Sequence, residues 1–397
     1  MPQSLSSFDY QPRTRLVFGA GEIVRLGALA REIPNVRRAL VVTDKGIVQA
    51  GHAERAVKSL EEAGVTAQIF SAVKENPSTI EVAACVEAAK SFKPDLIVGL
   101  GGGSSMDTAK GCNFIYSNGG VMKDYWGTGK ATKEMLPLIA IPTTAGTGSE
   151  CQSYALISDP ETHQKMACGD VKAAARVAIL DPQLTVSQPP RVTALTGLDT
   201  LSHAIESGVC NKRNALSLVY SRESLRLGLE AFPQVLSDPN NLDARGRMQL
   251  AAAFGGLAIE NSMLGAAHSC ANPLTGRHGI VHGQAVAIML PHVIRFNGKD
   301  AGAAAAYWEL EQSCESRIAA IPFMSQSGNF TTPTEILAKH IEELLELAML
   351  PSRLGQLDVP KNSLNTLATE AAKQWTANFN PRPLTENDFV QLYAAAW

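Results

Sequence analysis

The stretch DLIVGLGGGSSMDTAKGCNFIY, residues 95–116, reads as a strand, a turn and a helix in succession. Asp95 to Leu100 is a short run rich in Leu, Ile and Val, Gly101, Gly102 and Gly103 follow it, and helical character begins near Met106. Glycines at such a junction let a phosphate group approach the backbone, and the N-terminus of the next helix supplies N–H donors and a partial positive charge. The spacing is not that of GxGxxG, and the Lys-Ser/Thr ending of a P-loop is missing. On these residues alone, a phosphate seat and a simple tight turn are equally good readings.

The same alternation extends on both sides. ALVVT (39–43), AQIF (67–70), LPLIAI (136–141) and VAIL (177–180) are short apolar runs, separated by stretches such as AERAVKSLEEAG (53–64) and TIEVAACVEAAKSF (79–92) with helical spacing. This pattern predicts an α/β domain with a parallel sheet flanked by helices. Beyond Pro189-Pro190 the β-rich runs stop, and segments such as RMQLAAAFGGLAIENSMLGAAHS (247–269) and TEILAKHIEELLELAML (334–350) predict an all-α domain. Two successive prolines favour an extended link, so the expected domains are residues 1–190 and 191–397. The segment PFMSQSGNFTTPTE (322–335) reads as a surface loop.

A chain of 397 residues is long enough for two domains. With 45% hydrophobic and 18% charged residues it lies outside the composition of disordered chains. The net charge of -3 leaves no basic surplus for nucleic acid or an anionic membrane. The first residues lack an apolar stretch behind a basic head, and no later run has the length of a membrane span. Seven scattered cysteines without a CxxC pair fit a reduced, cytoplasmic protein in which each is a small core residue.

Three further features carry chemistry. The loop PTTAGTGSE (142–150) follows the next apolar run, and its small hydroxyl residues suit either a bound nucleotide or an ordinary turn with hydroxyl caps. Two such loops after successive strands favour the ligand, because ligands bind at the carboxyl ends of parallel strands. Asp44, just past ALVVT, suits a ribose diol and would repel a 2′-phosphate, which favours NAD over NADP; a helix N-cap is the alternative. In LTGLDTLSHAIES, Asp199 and His203 are four residues apart on one face of an expected helix, and His268 and His282 lie downstream. One carboxylate and three imidazoles suit a divalent transition metal with an open position, while a helix-stabilising pair and hydrogen-bonded core histidines remain the plain alternative.

Taken together, GGGSSMDTAK, PTTAGTGSE, GLDTLSHAIE and HGQAVAIMLPH resemble, in order and over nearly the whole chain, the signatures of the iron-containing (group III) alcohol dehydrogenases. The resemblance implies an N-terminal dinucleotide-binding domain, a helical C-terminal domain and a metal site in the cleft between them. It also implies the metal ligands Asp199, His203, His268 and His282. The implied cofactor contacts are Asp44, Asn76, Gly102, Gly103, Ser104, Thr143, Thr144, Thr147 and Lys165, with Asp107 bracing its glycine turn. The implied activity is hydride transfer between a small alcohol and NAD, or from NADH to an aldehyde or ketone, in a homodimer or larger homo-oligomer. Fe²⁺ is the implied metal, although an Asp/His₃ set also accepts Zn²⁺ and other divalent ions.

One position departs from the family. Many members carry a second histidine four residues beyond the third ligand, and here that residue is Asn272, which does not titrate and cannot relay a proton. His278 is the candidate substitute. Apolar residues around Phe254 and a loop near Asn272 suggest a small, weakly polar substrate. The rival readings are a lyase or transhydrogenase that uses NAD transiently, and a nucleotide- and metal-binding descendant without turnover.

Overall fold

Four of the five apolar runs before Pro189 become strands whose side chains are buried, while AQIF (67–70) becomes an edge strand with Gln68 and Ile69 exposed. The computed structural model describes residues 7–162, 164–313 and 332–397. Its strands are β1 Arg15–Phe18, β2 Arg38–Val42, β3 Thr66–Phe70, β4 Leu96–Gly101, β5 Gly127–Thr128, β6 Leu138–Pro142, β7 Tyr154–Ser158, β8 Lys165–Gly169 and β9 Val177–Leu180. Helices α1 Leu26–Glu32, α2 Lys45–Gln49, α3 His52–Glu62, α4 Thr79–Phe92, α5 Gly103–Asn118 and α6 Pro182–Thr185 alternate with them. The chain divides into two compact units. One is Gln11–Gln188, and the other is Pro189–Trp397 with the described residues before Gln11.

In the first unit a six-stranded sheet runs β1-β9-β6-β4-β2-β3, with every pairing parallel. Chain order reverses beside β2, since β3 lies on one side of it and β4 on the other. Ligands of open parallel sheets bind at such a switch point, outside the carboxyl ends of the strands. Strand β4 is buried at all six positions. Its Ile97 joins the core formed with α4 and α5, whereas Val98 and Leu100 join the opposite core with α1 and α3. Burial on two faces explains why β4 reads as a continuous apolar run rather than an alternating one.

Strand β1 and the small sheet β5-β8-β7 were not among the expected runs. YALIS and KMACG are short and interrupted by polar or small residues, and only their antiparallel pairing, Tyr154 opposite Gly169 through Ser158 opposite Lys165, makes them strands.

The second unit contains α7 Pro190–Val209, α8 Ala215–Ser237, α9 Leu242–Glu260, α10 Ala266–His278, α11 His282–Asn297, α12 Ala301–Gln312, α13 Pro333–Leu347, α14 Leu364–Ala371 and α15 Glu386–Ala396. Pro190 occupies the first turn of α7, where its missing N–H costs nothing. From Leu198 to Val209 this helix is buried on every side, packed by α8, α9 and α11. Residues 7–10 group with this unit and not with the sheet, and the Tyr10 hydroxyl lies 3.1 Å from that of Tyr220 on α8. Most of the loop expected over 322–335 lies outside the described residues. Its last three residues start α13 instead, because the Thr332 side chain caps that helix and Pro333 opens it. Six cysteines are buried and form no disulfide among the described residues, and Cys314 lies outside them. Among the described residues no helix is long and apolar enough to cross a membrane.

Candidate metal centre and nucleotide site

The candidate nucleotide residues gather at the carboxyl ends of the strands around the switch point. Gly102 is the N-cap of α5, and Gly101 before it has φ 144°, a region that favours glycine. A Cβ placed on Gly103 would lie 2.7 Å from Thr147 Cγ2, and one on Gly102 would lie 3.2 Å from Thr144 Cγ2. The glycine turn and the threonine loop are therefore packed against each other, and a side chain at Gly103 would require Thr147 to shift. Thr143 continues the edge, its amide donating to the Gly101 carbonyl at 2.9 Å.

Asp44 uses Oδ1 to cap α2, accepting from the Ile47 amide at 3.0 Å, while Oδ2 lies beside Gly101, 3.5 Å from where a Cβ would sit. The carboxylate thus serves as an N-cap and at the same time faces the glycine turn. Asn76, beyond β3, has φ 50° before Pro77, a conformation asparagine tolerates. Ser104 lies in the first turn of α5 and its carbonyl accepts from Thr108 Oγ1. Asp107 accepts from Ser149 Oγ at 3.1 Å; burial lifts its carboxyl to about 6 against the pull of Lys110 and Lys165. Lys165 is the first residue of β8.

Two residues here escaped the sequence. Lys110 is buried and donates to the Ser149 carbonyl at 2.6 Å, Ser149 Oγ at 2.9 Å and the Tyr154 carbonyl at 3.0 Å, which ties α5 to the threonine loop and β7. Glu150 is 2% exposed, its Oε1 has no hydrogen-bond partner among the described residues, and burial pushes its carboxyl up to about 7. A lysine or a glutamate in a polar loop gives no sign in sequence that it will be buried.

The other cluster is built on α7. Asp199 and His203 project from one face, with His203 Nε2 3.5 Å from Asp199 Oδ1. His268, in the first turn of α10, brings Nε2 to 3.7 Å from the same oxygen. His282 opens α11, and a Cβ on the next residue, Gly283, would lie only 2.4 Å from the Leu195 carbonyl oxygen. That close approach to the α7 backbone sets His282 beside His268, with ring centroids 5.3 Å apart. The ligand atoms of Asp199, His268 and His282 all lie within 4.8 Å of one another. His203 stands against the group, its ring stacked on His268 at 5.0 Å.

These separations suit a shared cation better than direct bonds. Asp199 Oδ1 and His268 Nε2 are buried and have no hydrogen-bond partner among the described residues, and 3.5–3.7 Å is too long for one. Donors about 2.1 Å from a tetrahedral ion stand about 3.4 Å from each other. Burial would raise the Asp199 carboxyl, but the imidazoles of His203, His268 and His282 hold it well below the usual range. Burial likewise disfavours a charged His268, but Asp199 and Glu206 outweigh it and bring the ring to about 9. The cluster therefore favours added positive charge, and its residues fit a divalent metal.

The two proton-relay candidates lie differently. Asn272 is within helix α10, not in a loop, because the small residues after Gly265 bury that segment as a helix; its Nδ2 donates to Gln374 Oε1 at 3.0 Å. His278 ends the same helix, about 15 Å along its axis from His268 at 1.5 Å per residue, and its Nε2 is 3.4 Å from Ser363 Oγ. Phe254, on α9, has its ring 6.1 Å from that of Tyr220.

The chain is similar to known proteins over nearly its whole length. The family model described as iron-containing alcohol dehydrogenase matches residues 12–182, and that of the C-terminal domain of the Fe-containing alcohol dehydrogenase family matches residues 193–397. An NAD-dependent methanol dehydrogenase of Bacillus methanolicus is 30% identical over 392 residues, covering 95% of this chain and 96% of its own. The crystal structure of a 1,3-propanediol oxidoreductase superposes with a TM-score of 0.91 at 28% identity, covering 99% of this chain and 100% of the other. A sulfoacetaldehyde reductase from Bifidobacterium kashiwanohense, in complex with NAD⁺, gives 0.85 at 27% identity and covers 98% and 99%.

Proposed function

Starting from the fact that this chain belongs to the iron-containing alcohol dehydrogenase family, we propose that it is an NAD-linked, divalent-metal alcohol dehydrogenase acting on a small, weakly polar alcohol or the matching aldehyde. The observation that carries the proposal is the convergence of Asp199 Oδ1 and His268 Nε2, buried and without hydrogen bonds, with His282 and His203. In this reading Asp199, His203, His268 and His282 hold the metal. Such an ion, Fe²⁺ or Zn²⁺, would supply Lewis acidity toward an alcohol or carbonyl oxygen, and the nicotinamide would accept or donate hydride.

The chain's own groups bind and orient. Gly102, Gly103 and Ser104 leave room for the pyrophosphate at the start of α5, and Thr143, Thr144 and Thr147 offer hydroxyls along its edge. Asp44 Oδ2 and Asn76 accept or donate at the adenosine end, and the carboxylate disfavours a 2′-phosphate. Lys165 supplies a donor toward ribose, with Asp107 balancing its charge. Asn272 cannot take up a proton as an imidazole would, so proton release to water does not pass through it. The relatives' own names give methanol, 1,3-propanediol and sulfoacetaldehyde.

The test is anaerobic purification, parallel reconstitution with Fe²⁺ or Zn²⁺, and NADH absorbance with a panel of primary alcohols, diols and aldehydes. Metal-dependent NADH turnover that disappears in His268→Ala is the expected result. Metal binding without turnover of any nicotinamide by any panel member would overturn the dehydrogenase reading and favour a lyase, a transhydrogenase or a non-catalytic binder.

A further inference from the structure

Asp199 and His203 do not end the polar stripe of α7. Glu206 follows at the next helical step on the same face, and it is 3% exposed in the middle of the helical unit. Burying a carboxylate is costly unless both oxygens find donors. Glu206 Oε1 accepts the Ala267 amide at 2.7 Å, and Oε2 lies 2.5 Å from His268 Nδ1. No side chain of its own caps α10, whose N-cap is Gly265. Two side chains from elsewhere serve instead, Asn380 Oδ1 for the Ala266 amide at 3.2 Å and Glu206 for Ala267.

We propose that Glu206 is a positioning residue of the metal centre, which fixes the Nδ1–H tautomer of His268 and aims its Nε2 lone pair at the ion while anchoring the start of α10. An ionised carboxylate only accepts, so the proton of a neutral His268 must sit on Nδ1, leaving Nε2 unprotonated beside Asp199 Oδ1. Orienters of this kind raise the basicity of a ligating imidazole and are worth about 10–100-fold in metal affinity. Only a carboxylate can do both jobs. A glutamine has one acceptor oxygen and one NH₂ donor, so in Glu206→Gln either the Ala267 amide or the imidazole faces a donor. If the amide group turns its NH₂ to the ring, Nδ1 must accept, and the proton moves to the nitrogen meant for the metal.

The inference rests on the metal reading above, and the experiment separates the two. Zn²⁺ affinity is measured on metal-free full-length protein by competition with a chromophoric chelator, alongside the Tm of the apo form. Native protein that binds no Zn²⁺ would sink the metal reading itself. With native binding intact, a loss of about 10–100-fold in Glu206→Gln is expected, and equal affinity would overturn the role of Glu206. Asn380→Ala removes the neighbouring cap without touching His268, so it should lower the apo Tm and leave Zn²⁺ affinity unchanged; an equal loss of affinity there would reduce Glu206 to a structural cap. Should Glu206→Gln fail to fold, the native protein decides. Long-range ¹H–¹⁵N spectra of metal-free, imidazole-labelled protein, recorded above pH 9 where the ring is neutral and with the His268 signal assigned by its disappearance in His268→Gln, should show an Nδ1–H tautomer, and an Nε2–H tautomer would refute the proposal.

Discussion

Asp44 shows how one side chain can satisfy a structural and a functional reading together. Its two oxygens are divided, Oδ1 to the helix cap and Oδ2 toward the glycine turn, so the alternatives open in the sequence are not exclusive. Asp44→Ala should therefore cost about 1 kcal/mol of stability through the lost cap and also narrow the preference for NADH over NADPH. Fluorescence titration with both nucleotides checks this, and an unchanged ratio would leave Asp44 as a cap alone. Glu150 is the opposite case, a residue visible only in three dimensions. Its buried carboxyl is raised from 4.5 to about 7, so the fold favours the neutral acid. Stability from that preference is fully present below pH 4.5 and is lost as pH rises through about 7. Glu150→Gln, which stays neutral, should unfold like the native protein at pH 4 and at a higher temperature at pH 8, by up to roughly 3 kcal/mol. A difference in Tm that does not change with pH would contradict the assignment.

Among the elements, the crossing of α7 and α11 decides whether the ligands meet. Helical spacing predicted that Asp199 and His203 share a face, and α7 bears that out. Nothing in local spacing predicted that His282 would reach them. The contact depends on Gly283, whose missing side chain admits the Leu195 carbonyl. Gly283→Ala forces the α11 start away from α7, with an expected cost of about 1–3 kcal/mol in folding and a weakened Zn²⁺ affinity read by chelator competition. Native affinity in that variant would show that the ligands do not depend on the crossing. Glu206 also belongs to this scale. Its register on α7 was legible, but a glutamate one turn past a histidine is ordinarily a solvated residue, and only the arrival of α10 gives its two oxygens their donors.

For the molecule as a whole, the buried Asp199 Oδ1 and His268 Nε2, without hydrogen bonds among the described residues, give the metal-free fold a desolvation cost that a cation would relieve. Zn²⁺ at 1,000 times its Kd should add about 4 kcal/mol of stability, seen as a rise in the thermal transition that a chelator reverses and His268→Ala abolishes; the same Tm with and without metal would argue against the site. By itself, the sequence determined the α/β sheet followed by a helical region, the two candidate nucleotide loops and the candidate ligands. Those features are written in local periodicity, in glycine and hydroxyl residues at strand ends, and in motifs that hold their spacing along the chain. Tertiary structure alone decided that YALIS and KMACG pair as strands, that the first described residues side with the helices, and that Glu150, Lys110 and Glu206 are buried. Burial and partnership of a charged side chain are set by what packs against it from hundreds of residues away, and no local pattern records that.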